Sequence, residues 1–457
     1  MRVIRGLSLV GTLLVATSCG DLLVPDYNNP SLEDLTSNPT PAKIAQAAQG
    51  LLVGMRAQQG AQNGYVSLLG IVGRESYNFD AADPRFITEM LISGLDGGSP
   101  AFGGNLFAFP YRNIRGGNIL LEAVETVVGM SPAEKEAVRG FTKTIQAYDY
   151  LRVVNTRDDL GAPIDVAGAP TGTPAPIMPK AAVFAHMITL LDEGLAHLQA
   201  GGSNFPFSLS PGFADFNTPA SFMAFNRALK ARVEAYQKNW PGALTALNGS
   251  FLDLSEPLNA GAYHSFSTGS GDAQNLLFDP GGTRIVAHPS IVTDAKLKLD
   301  GSPDARVSKV MQVSPPRSSQ GITTEYVFTI YNANSSPVAI IRNEELILLR
   351  VEARYYTGDP VGALSDINFI RTASGGLAPR GPFLSEDDFI AELLYQRRYS
   401  LLFEGGHRWI DARRYGLLGT LPKALPEHRV FSRFPFPEAE CLARVPAPTE
   451  GCTPQEN

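Results

Sequence analysis

The chain has 457 residues, 44% of them hydrophobic, which is enough to bury a large core. Its 38 basic and 45 acidic residues leave a net charge of −7, which excludes a strongly basic surface for nucleic acid or anionic lipid. Three cysteines exclude a disulfide scaffold and a paired CxxC zinc ribbon, and 44 Gly with 34 Pro imply many loops.

Arg2 and Arg5 precede an apolar run from Leu7 to Ala16, and the small residues Ala16-Thr17-Ser18 lead into Cys19. This pattern predicts an export signal over residues 1–18, too short to be a stable membrane span. The cysteine after small residues resembles a bacterial lipobox, with Cys19 as the lipidated residue. A plain secretory signal with an ordinary Cys19 is the alternative. Residues 19–40 are rich in Asn, Pro, Ser and Asp and are expected to be a tether. The remainder, 41–457, is expected to be a single domain, although length alone would suggest about three.

Apolar spacing predicts helices in chain order. The first is 41–58, with Ile44, Ala48, Leu51, Leu52 and Met55 on one face. A second begins near Tyr111 and runs to Val128. A third starts at Ser131-Pro132, a cap followed by proline at the first helical position. A fourth carries Phe184, Ile188, Leu191, Leu195 and Leu198. A fifth covers 219–236 and is followed by a short partner over 243–247. Further helices are expected at 343–356, 361–371 and 386–404. Strand signal is confined to 326–330 and 338–341. The Gly/Ser/Pro/Asn-rich stretches 200–217 and 256–323 carry aromatics at intervals, which predicts ordered inserts on a helical frame.

Two helix pairs look like a repeat. Leu229, Ala235 and Tyr236 lead through Trp240-Pro241-Gly242 to Ala243 and Leu244. Leu349, Ala353 and Tyr356 lead through Gly358-Asp359-Pro360 to Ala363 and Leu364. Small residues at a tight helical crossing are what a tetratricopeptide-type hairpin requires. The predicted fold class is therefore mainly α, a tetratricopeptide-like frame with long ordered inserts.

The second pair is followed by Gln396-Arg397-Arg398 and then Phe403-Glu404-Gly405-Gly406-His407-Arg408-Trp409-Ile410-Asp411-Ala412-Arg413-Arg414-Tyr415. With Tyr111-Arg112-Asn113-Ile114 and Asp159-Leu160-Gly161-Ala162-Pro163-Ile164 upstream, this order resembles the SusD/RagB family of outer-membrane nutrient-binding lipoproteins. The resemblance departs at Gln396 and Ser400, where the family often has Glu. It implies a lipid-anchored cell-surface protein that binds a nutrient, an oligosaccharide or a peptide. It also implies delivery to a SusC-like TonB-dependent transporter.

Glu404, Arg408, Trp409, Asp411 and Arg413 form the densest polar block. They are expected to be structural, with Arg408 and Arg413 pairing Glu404 and Asp411. The alternative makes Glu404 and Asp411 the carboxylate pair of a surface glycoside hydrolase. No HExxH, GxSxG or Walker pattern occurs, so no catalytic residue, cofactor or metal is expected. Candidate ligand contacts are loop aromatics and planar polar groups: Tyr65, Tyr77, Asn78, Asp80 and Arg85 in one stretch, and Tyr263 and Phe266 in the other. Cys441 and Cys452 either pair in a disulfide or remain free thiols.

Overall fold

A computed structural model describes residues 32–99, 102–167 and 172–452. The export signal, Cys19 and most of the tether lie outside the described residues. A short α1 (Leu32–Ser37) leads into α2 (Pro41–Arg56), which is capped by Thr40 and buries Ile44, Ala48, Leu51, Leu52 and Met55. Next comes α3 (Tyr65–Val72), a helix that the spacing did not predict. All eight of its residues are buried, so no polar face marks it in the sequence. After the three-residue α4 (Arg85–Ile87), the long helices begin with α5 (Asn105–Thr126) and α6 (Pro132–Arg157). Ser131 and Glu134 close a reciprocal capping box at the start of α6.

The frame continues through α7 (Lys180–Ala200), α8 (Pro219–Tyr236) and α9 (Trp240–Asn248). After the four-residue α10 (Ser290–Thr293) it resumes with α11 (Asn343–Tyr356) and α12 (Pro360–Ala373). It ends with α13 (Glu386–Ser400), α14 (His407–Arg414) and a short α15 (Glu438–Leu442). Consecutive long helices pack on one another from α5 to α9, and α11 packs on both α9 and α12. The pairs α8–α9 and α11–α12 close alike: Asn239 and Asp359 each accept from the backbone of a glycine three residues on, Gly242 and Gly362. The pairs meet through Trp240, stacked on Tyr356 at 4.8 Å between ring centroids.

Among the described residues the strands form four two-stranded antiparallel ribbons: β1 (Ser76–Asn78) with β5 (Ile285–Ala287), β2 (Ala162–Pro163) with β3 (Ile177–Met178), β4 (Gly261–His264) with β8 (Val338–Arg342), and β6 (Val310–Ser319) with β7 (Ile322–Phe328). Three of these ribbons draw strands from the 256–323 insert. The insert has its own core of Phe266, Leu277, Ile285, Val310, Phe328 and Tyr331, joined to Tyr399, Leu402 and Phe403 at the end of α13. Phe328 stacks on Phe403 at 4.2 Å.

Helix α13 ends at Ser400, four residues before the predicted Glu404. Phe403, Gly405 and Gly406 all take positive φ there, and a Cβ at Gly406 would lie 2.4 Å from the Leu69 Cβ. A glycine is required at that turn because α3 packs directly against it.

The polar block is structural, but its partners differ from those expected. Glu404 accepts both Nε (2.8 Å) and Nη2 (3.0 Å) of Arg342. Asp411 accepts Arg397 at 2.6 Å and Arg414 at 3.0 Å. Arg408 instead donates to the Arg74 carbonyl, and Arg413 to the carbonyls of Ser432 and Asn155. Trp409 is fully buried and donates Nε1 to Phe431 O at 2.7 Å. Partner choice follows proximity in the fold: β8 meets Glu404, while α13 and Arg414 on its own helix meet Asp411. Ser400, where the resembled family often has Glu, accepts Arg306 and donates to Glu344.

Between α8 and α11, Arg232 holds Glu345 in a buried two-pronged ion pair at 2.7 and 2.6 Å. Removing one partner strands the other charge in the core. We expect Arg232→Met to lower stability by about 3–5 kcal/mol, and the double variant Arg232→Met with Glu345→Leu to recover most of that loss, as read by urea unfolding.

Candidate functional site

A cleft of about 580 Å³ is built by the insert, β8 and the turn after α13. Its walls are Tyr263, Tyr331, Asn259, Asn332, Lys309 and Ile330, and its floor is Arg342 with Glu344 and Glu404. Tyr263 reaches the cleft because the β4–β8 register shifts between Ala262 and Tyr263, and such a bulge re-aims a side chain. Its hydroxyl donates to the Asn259 carbonyl. Behind it, a Cβ at Gly212 would lie 1.9 Å from the Tyr263 carbonyl oxygen, so the 211–216 turn backs this strand tightly. Tyr263 also lines a second, smaller hollow of about 260 Å³ with Arg56, Phe213 and Asp272, and so forms the ridge between the two.

The cleft floor is rigid. Arg342 bridges Glu404 and Glu344, and Lys309 donates to the carbonyls of Tyr399 and Ser400 while lying 3.7 Å from Glu404. Burial pushes the Lys309 ammonium below its ordinary value, although Glu404 opposes this. Burial alone would raise Glu344; Arg342 outweighs it and holds the carboxyl at about 2. Glu344 therefore stays charged at neutral pH, while Asn259 and Asn332 stand exposed at the rim. Side-chain amides above a fixed charged floor and beside a tyrosine face suit a polyhydroxylated or amide-rich ligand.

The sequence-predicted contacts are placed very differently. Tyr77 and Asn78 lie in β1 and are each 1% exposed. Tyr77 packs between Phe79 and His288, and Asn78 accepts from the Asp80 backbone and donates to Gln62 O. Tyr65 is buried on α3 and accepts from Asn155. Phe266 is buried beneath the Arg56 guanidinium. These four side chains are wall and core, since a ligand cannot reach groups that the fold has covered. Asp80 sits at a polar edge, 3.8 Å from Arg284. Arg85 is paired with Asp83 at 2.8 Å. Of the seven candidates, Tyr263 alone lines the cleft. Asn259, Lys309, Asn332 and Arg342 were not predicted. Their one sequence signal was the charged run Arg342-Asn343-Glu344-Glu345 at the head of an otherwise apolar helix.

Among the described residues no group of three or more His, Cys, Asp or Glu side chains is arranged to hold a metal ion. His264 is buried and bonded to Tyr148 at 3.1 Å, and burial pushes its pKa well down, so it is neutral.

A family model described as the SusD family matches residues 321–444. The fold is also similar to many solved structures. One is a SusD superfamily protein from Bacteroides vulgatus, at 16% identity over 90% of this chain and 98% of that one, with a TM-score of 0.68. Residues 321–444 thus carry the SusD family's sequence pattern, and the fold is similar to that of SusD superfamily proteins. A SusD-like carbohydrate binding protein from Bacteroides fragilis is 15% identical over 84% of this chain and 87% of that one, with a TM-score of 0.66. A laminarin binding SusD-like protein is 16% identical over 88% and 97%, with a TM-score of 0.63. No curated protein sequence matches the chain.

The same region sets a pH signature. Glu75, beside the α13–α14 turn, is fully buried, and one of its oxygens has no hydrogen-bond partner. Burial pushes its carboxyl up to about 7, against opposing pulls from Arg408 and the Phe403 N–H. Burial would likewise raise Glu345, but Arg232 outweighs it and holds that carboxyl at about 2. The folded state keeps the Glu75 proton between the unfolded value of 4.5 and about 7, so its contribution is present in acid and lost as pH rises through 7. The Glu345 contribution is present above 4.5 and lost as pH falls toward 2. We expect urea midpoints to peak in mildly acidic buffer and decline on both sides, with Glu75→Gln flattening only the alkaline decline.

Proposed function

We propose that this protein is a lipid-anchored, non-catalytic binder of oligosaccharide at the outer-membrane surface, handing its ligand to a SusC-like TonB-dependent transporter. The observation that carries the reading is the Tyr263 cleft: one tyrosine face, exposed amides and fixed charges set on a SusD-like frame. The relatives that bind carbohydrate and laminarin support a glycan over a peptide as the ligand. The proposed anchor is Cys19 after a signal over residues 1–18, with 19–40 as the tether. Among the described residues no helix is long and apolar enough to cross a membrane, so attachment through lipid is consistent with the fold.

The hydrolase reading loses its support in the geometry. Glu404 is held by Arg342 and Asp411 by Arg397 and Arg414, so neither carboxylate is placed to protonate a leaving group. The peptide reading has no comparable observation in its favour.

Laminarin serves as the first probe. Calorimetry on the mature protein is expected to show binding, and Tyr263→Ala to weaken it about tenfold without changing the melting temperature. Absence of binding to laminarin and to a wider glycan panel would reject the reading. Reducing-sugar release that Glu404→Gln abolishes would instead favour the hydrolase. In cell fractionation, Cys19→Ala is expected to move the protein from the membrane to the soluble fraction.

A further inference from the structure

A hollow of about 260 Å³ opens between α13, α14 and the turn that follows α14. It shares no lining residue with the Tyr263 cleft. Its walls include Leu394, Leu417 and Leu421, and its polar lining is dominated by two guanidinium groups, Arg398 and Arg408.

Only one of the two has a carboxylate partner. Arg398 pairs with the half-exposed Asp294 at 2.9 Å and donates Nη2 to the carbonyl and hydroxyl of Ser290. The Arg398 Nε is buried without a hydrogen-bond partner. Arg408 has one hydrogen bond among the described residues, from Nη1 to the Arg74 carbonyl, and no carboxylate within ion-pair distance. Glu75 is its nearby acid, and burial pushes that carboxyl up to about 7. Burial, with Arg398 adding to it, pushes Arg408 itself down to about 9, the mark of a cation short of a counter-charge. Asp411 also lines the hollow, but Arg397 and Arg414 occupy its two oxygens.

We propose that this hollow is a binding site for a small organic carboxylate. A carboxylate is planar and matches the guanidinium fork, while the leucines take the body of the ligand. The volume lies just below the range typical of drug-sized ligands, so the ligand has about the size of one ring. The site is separate from the proposed glycan cleft and does not depend on it.

The test is calorimetry on the mature protein with glucuronate and benzoate. Glucose and benzyl alcohol are the uncharged counterparts, and sodium chloride controls for ionic strength. Heat of one-to-one binding is expected from at least one acid and not from its uncharged counterpart. Arg398→Gln is expected to weaken that binding about tenfold. Ala391 is an exposed lining residue on α13, so Ala391→Trp fills the hollow while keeping both arginines, and it is expected to abolish binding. Tyr263→Ala is expected to leave it unchanged. No heat from either acid at millimolar concentration would overturn the proposal. So would equal heat from the uncharged counterparts or the salt, or binding unmoved by both variants.

Discussion

The Arg342 guanidinium is the tie on which the rest of the molecule depends. It sits at the junction of β8 and α11, buried, and grips Glu404 with two donors while also pairing Glu344. Through Glu404 it fixes the glycine turn between α13 and α14. Through β8 it fixes the strand that carries the insert back to the helical frame. A buried cation is costly unless paired, and here the pairing also sets geometry. The neighbouring Arg232–Glu345 and Arg414–Glu352 pairs extend the same device to α8 and α14.

This tie explains why the cleft has a charged floor that does not move. The cleft lies over Arg342, Glu344 and Glu404, so the residues that close the C-terminal fold also form the bottom of the proposed binding site. The insert adds the wall. Its small core locks onto Phe403 at the turn, and the bulge at Ile340 of β8 then sets Tyr263 between two hollows. Rigid helices supply position and the loops supply chemistry, as is general for binding sites on scaffold folds.

Periodicity made the frame legible. Helix α2 buries one stripe, and the caps of α2, α6 and α8 are written in Thr40, Ser131 and Thr218. The repeat was visible because small residues recur around the tight turns Trp240-Pro241-Gly242 and Gly358-Asp359-Pro360, and the structure closes both pairs with the same capping chemistry. Helix α3 was not legible, because a helix buried on all sides has no polar phase to read. The 256–323 ribbons were mostly hidden too, since β4 and β5 pair with strands far away in the chain.

The sequence by itself determined the helical frame, the two repeat pairs and the family resemblance. These are local facts of spacing and capping, repeated often enough to read. Only the tertiary structure decided which arginine meets which carboxylate, and which aromatics remain accessible. Tyr77 and Tyr263 look alike in sequence, each beside polar neighbours in a loop-rich stretch. Pairing with β5 buries Tyr77, whereas a one-residue bulge in β8, opposite Tyr263, turns Tyr263 into the cleft. Accessibility depends on partners remote in the chain, and no local pattern records them.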